Sequence, residues 1–158
     1  MRIQWLLKFL IWYAFLIQIS YGANINLVDP VFSPPPTASK GSQANVLRFK
    51  IENSGNIEKI GQITVNQNNG SPTNDIDYFE LVNITGAPNI ISGGTDGGGN
   101  VTVVATDIHF LGFSDNVLGI GNTLFEVRIH INPVAPSSLI SFSVDHNSFF
   151  FVGGNNIA

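Results

Sequence analysis

Apolar and polar side chains alternate along most of this chain, and the alternation marks its strands. Over residues 45–52, Leu47, Phe49 and Ile51 interleave with Val46, Arg48 and Lys50, the period-two pattern of a strand with one buried face. Residues 124–131 repeat it, with Phe125, Val127, Ile129 and Ile131 set against Glu126, Arg128 and His130. Residues 138–145 do so with Ile140, Phe142 and Val144 against Ser141 and Ser143. Weaker patterns predict strands over 25–29, 59–66, 78–83 and 101–110, and an eighth over 148–152. No stretch holds the 3.6-residue period of an amphipathic helix.

Turn formers separate these runs. Asn53-Ser54-Gly55-Asn56 predicts a hairpin joining 45–52 to 59–66, because glycine and asparagine accept positive φ. Longer breaks fall at Asn68-Asn69-Gly70-Ser71-Pro72 and across residues 92–100. Pro34-Pro35-Pro36 is extended by its fixed φ and suits a first strand that crosses between sheets or lies along an edge. Seven to eight short strands at this spacing predict an all-β, two-sheet antiparallel sandwich, with a closed barrel as the alternative. The chain contains no internal repeat.

The N-terminus reads differently. Arg2 and Lys8 precede an apolar run over 9–19, and Ser20 and Gly22 place small residues at a cleavage site, so residues 1–22 are expected to be a secretory signal peptide. Lys8 interrupts the segment, and a membrane span needs about 20 apolar residues. Cleavage before Ala23 leaves 158 − 22 = 136 residues, one β-sandwich domain over 23–158 with no membrane span and enough length for a real core. The expected location is the extracellular space or the cell surface. With no cysteine in the chain, stability rests on packing, a bound ion or neighbouring subunits.

Loss of Arg2 and Lys8 leaves 7 − 2 = 5 basic residues against 11 acidic ones. Nucleic acid is excluded as a partner, since a phosphate-binding footprint needs clustered Lys and Arg; an anionic membrane surface falls with it. Arg48, Lys50, Glu52, Glu58 and Lys59 concentrate the charge on the predicted hairpin. Two readings fit: charges that guard an exposed strand edge, or a solvated face with cross-strand ion pairs.

Catalytic chemistry finds little material. The histidines, His109, His130 and His146, are scattered, and nothing in the spacing of the carboxylates selects a glycosidase pair. Trp5 and Trp12 both lie in the predicted signal peptide, which leaves Tyr78 and the phenylalanines to stack on any sugar. Calcium is the best metal candidate. Asp75 and Asp77 stand two apart in a loop and Asp96 sits among glycines, the oxygen-rich loop chemistry that calcium takes; Asx turns and strand capping explain the same residues. No other cofactor is implied. Asn69-Gly70-Ser71, Asn83-Ile84-Thr85 and Asn100-Val101-Thr102 match the N-glycosylation pattern.

The stretch "ANINLVDPVFSPPPTASKGSQANVLRFKIENSGNIE" has a short first strand, a proline-containing crossing, a glycine before the next strand, and Asn-x-Gly at its end. It resembles the start of the immunoglobulin-like modules of bacterial surface proteins, notably CARDB-type adhesion-related domains. "FEVRIHINPVAPSSLISFSV" looks like the final strand pair of such modules, and the Asn- and Gly-rich middle over 66–100 is longer than they need. The resemblance implies an immunoglobulin-like sandwich with a structural or adhesive role and brings no catalytic residues. The expected function is a secreted, non-enzymatic structural or adhesive module whose partner is a protein or polysaccharide at the cell surface. The alternatives are a carbohydrate-binding module and a small secreted hydrolase. Phe149, Phe150, Phe151 and Val152 run uninterrupted. Such a run implies cover on both faces, either within the domain or by self-association through residues 148–152.

Overall fold

The computed structural model describes residues 25–28, 38–55, 57–86, 89–113, 117–136 and 140–152. The expected signal peptide and Pro34-Pro35-Pro36 lie outside them. The described residues form two antiparallel sheets. The first contains β1 (Ile25–Val28), β2 (Gln43–Asn53), β9 (Gly121–Ile131), β4 (Ile76–Asn83) and β5 (Asn89–Gly94), in that spatial order. In the second, β3 (Glu58–Gln67) is central. One side of β3 pairs with β10 (Phe142–Ser143) and β11 (Phe149–Val152). Its other side pairs with β8 (Val117–Leu118) and β7 (Asp107–Phe110), and β6 (Val101–Val104) closes that sheet beyond β7.

The core lies between the sheets and is built from the alternation. Leu47, Phe49 and Ile51 of β2 and Phe125, Val127 and Ile129 of β9 face Ile63, Val65, Ile108 and Phe110 of the second sheet, all buried. Phe49 stacks on Phe125 at 5.3 Å and 22°, and meets the edge of Phe149 at 5.6 Å and 64°. The Phe49–Phe149 contact joins the two sheets, and burying a ring of this size stabilises the fold by about 1.5–3 kcal/mol.

Four expectations are corrected. Residues 53–56 do not close a hairpin, because β2 and β3 belong to opposite sheets. The fully buried Asn53 fixes the crossing: its Nδ2 donates to the Leu118 carbonyl at 3.2 Å and its Oδ1 accepts from Gly55 N at 3.0 Å, which anchors an Asx turn to β8. The predicted strand over 101–110 is two, β6 and β7, folded back at Ala105, whose φ is 57°. Among the described residues of 138–145, only Phe142–Ser143 forms a strand, half-buried. Asp145 ends it by capping a 3-10 turn at His146–Ser148, accepting from Asn147 N at 2.8 Å. Consequently β9 and β10 lie in different sheets, and residues 125–144 do not form a strand pair.

The Asn- and Gly-rich middle, expected to be a long break, contains β5. Its Ser92 hydroxyl donates to the Leu111 carbonyl at 2.7 Å. A Cβ on Gly94 would fall 2.0 Å from the Gly98 carbonyl oxygen, so the glycines permit backbone to pack on backbone in the turn that follows. In β11 the burial alternates: Phe149 and Phe151 enter the core, whereas Phe150 is 57% and Val152 53% exposed. Within the chain the uninterrupted apolar run is therefore covered on one face only, and its strand pairs with β3.

Candidate functional site

The outer face of the first sheet carries a group of polar side chains in cross-strand register. Gln43, His130 and Tyr78 are register partners across β2, β9 and β4, so at the usual strand separation of ~4.8 Å they form a row about 10 Å long. Behind it stand Asn45, Arg128 and Glu80, again in register. Gln43 Nε2 donates to Glu80 Oε2 at 3.1 Å, reaching over the intervening β9. Gln43, Tyr78, Glu80, Ile129 and His130 line a shallow cleft of about 240 Å³.

Two β-bulges shape this region, one in β2 between Asn45 and Leu47 and one in β4 between Ile76 and Tyr78. A bulge sets two residues against one and re-aims their side chains. In β4 it leaves the consecutive Asp77 and Tyr78 both exposed beside His130, with Asp77 Oδ2 3.6 Å from His130 Nδ1. Alternation alone would have sent one of the two inward.

Beyond the second row, Glu126 is only 1% exposed although its side chain leaves the core. Its Oε2 accepts from Arg48 Nε at 2.6 Å and its Oε1 from Arg128 Nε at 2.7 Å. Both carboxylate oxygens are thus held by guanidinium groups, a charge-assisted arrangement on a cross-strand and a same-strand partner. The cross-strand ion pair expected of a solvated face is present in Arg48–Glu126. Its depth is not legible from the period-two pattern, which reports direction and not cover.

The calcium candidates have separate partners. Asp75, fully buried at the end of a helical turn (Pro72–Asp75), accepts from Ser71 N at 2.7 Å and Gln67 Nε2 at 3.4 Å. Asp77 faces His130, and Asp96 accepts from Val103 N at 2.9 Å. Among the described residues no three His, Cys, Asp or Glu side chains converge as a metal site. His109 belongs to the other sheet, where its Nδ1 lies 3.0 Å from both Gln62 Nε2 and Thr64 Oγ1. In the second glycosylation motif Asn83 Oδ1 accepts from Thr85 N at 2.9 Å.

The strand edges form a second candidate surface. Every charged residue within a described strand lies on an interior one: Arg48, Lys50 and Glu52 on β2, Glu58 and Lys59 on β3, Asp77 and Glu80 on β4, Asp107 on β7, and Glu126 and Arg128 on β9. Among the described residues the strands that border the sheets, β1, β5, β6, β8, β10 and β11, contain no charged residue. The charges expected to guard an edge therefore do not do so. Ile90 on β5, Val104 on β6 and Phe150 and Val152 on β11 are each more than half exposed.

These features define the protein as an all-β, two-sheet antiparallel sandwich. Comparison with protein-family models, with curated proteins and with solved structures returns no match. No helix among the described residues is long and apolar enough to cross a membrane.

Proposed function

We propose that this chain is a secreted, non-enzymatic structural or adhesive module of the cell surface or extracellular matrix, an immunoglobulin-like sandwich that works through its strand edges. The distribution of charge carries this reading. Soluble β-proteins ordinarily blunt exposed edges with lysine, proline or inward charges, because an open edge is a template for another strand. Here no bordering strand carries a charged residue of its own and apolar side chains stand exposed on β5, β6 and β11, while at β6 the loop carboxylate of Asp96 takes the Val103 N–H. Strand addition at such an edge takes affinity from main-chain hydrogen bonds and specificity from alternate side chains.

The test is light scattering of the exported protein over a range of concentrations, with Val104→Lys on β6 and Val152→Lys on β11. Both side chains point outward, so the fold survives while the edge gains a charge. Assembly in the parent that is lost in either variant supports the reading. A parent that stays monomeric at every concentration and binds no cell surface or matrix overturns it. Deletion from residue 148 onward is not a clean test, because it removes the buried Phe149 and Phe151 from the core.

A further inference from the structure

We infer that the cleft between Gln43, His130, Tyr78 and Glu80 is a binding site for an uncharged saccharide, engaging about a disaccharide of a longer chain. The inference does not rest on the edges, and either can fail without the other.

Tyr78 is the only tyrosine after residue 22, no tryptophan follows that residue, and Tyr78 is 42% exposed on a rigid sheet face rather than in the core. Its ring offers a flat apolar surface to the C–H face of a sugar, with a phenol hydroxyl at the rim. Around it stand an amide that both donates and accepts (Gln43), a carboxylate that accepts from adjacent hydroxyls (Glu80), and an imidazole (His130). Sugar hydroxyls donate and accept together, and this mixture of groups matches them. The row Gln43–His130–Tyr78 runs across three strands for about 10 Å, so its length suits sugar rings in series. The β4 bulge places Asp77 and Tyr78 on this face together. Bulges recur where a side chain must be re-aimed toward a site.

Charge selects the ligand class. The carboxylate of Glu80 lines the cleft and that of Asp77 stands beside it on His130, and both repel an acidic sugar. The nearby guanidiniums of Arg48 and Arg128 are both drawn to Glu126, outside the residues that line the cleft. Neutral saccharides remain.

The experiment is titration calorimetry of the full exported protein with cellobiose, maltose, N,N′-diacetylchitobiose and a glucuronic acid-containing disaccharide, together with amide NMR shifts. At least one neutral disaccharide is expected to bind, moving the amides around Gln43, Tyr78 and His130, while the acidic one does not. Tyr78→Ala should weaken binding roughly ten-fold with the melting temperature unchanged, and Tyr78→Phe should retain most of the affinity. Absence of binding by every neutral disaccharide at tens of millimolar overturns the inference. So does binding insensitive to Tyr78→Ala, or a preference for the acidic sugar.

Discussion

The ring of Phe150 lies across Gly61: a Cβ built on Gly61 would come within 2.6 Å of Phe150 Cδ1. Gly61 is the extra residue where β3 bulges against β11, since Gln62 pairs with Phe150 and Ile60 with Phe151. The aromatic ring covers backbone that glycine leaves bare and holds the last strand in register. Gly61→Ala is expected to lower stability by about 1–3 kcal/mol through this clash. Most of that loss should disappear when Phe150 is also alanine, a coupling that a double-mutant cycle reads directly. Additive effects would mean that the contact does not constrain β11.

The core phenylalanines are not equivalent. Phe49→Ala and Phe125→Ala should each cost about 3–5 kcal/mol in denaturant melts, because both rings are buried and stacked on one another. Phe142→Ala should cost about 1–2 kcal/mol, since Phe142 is only half-buried in a two-residue strand. Equal losses at the three positions would contradict the burial described above.

Glu126 holds the outer face of β2 and β9 together. Glu126→Gln should destabilise by about 1–3 kcal/mol, because a neutral amide replaces the carboxylate between Arg48 and Arg128. Arg48→Ala should cost less, about 0.5–1 kcal/mol, as Arg48 is 46% exposed and Arg128 still holds the carboxylate. Urea midpoints in the reverse order would show that the pairing adds nothing at Glu126.

Asp75 is committed to its own turn. Asp75→Ala should cost about 2–3 kcal/mol by orphaning the Ser71 amide and Gln67. Because that carboxylate is already engaged, melting midpoints in millimolar calcium and in chelator should coincide. A calcium-dependent rise that disappears in Asp96→Asn would instead establish the loop aspartates as ligands.

What the amino-acid sequence determined was the class of fold and the inward set of side chains. Period-two alternation specifies a buried face without reference to the partner, so β2, β3, β4 and β9 fall close to where their patterns place them. The same local signal cannot say which strands pair. Asn53-Ser54-Gly55 has hairpin chemistry, yet β2 and β3 each pair with distant strands, and a hydrogen bond from Asn53 to Leu118 anchors the crossing between sheets. β5 lacks alternation because its glycines serve a backbone-on-backbone contact that exists only after folding. The candidate sites were decided at the same level. Tyr78 and Asp77 share a face because of a bulge, Gln43 reaches Glu80 across a third strand, and the sheet borders are uncharged only by virtue of strand order. Each depends on residues brought together by pairing between distant segments, where loop-closure entropy is offset only by the completed core.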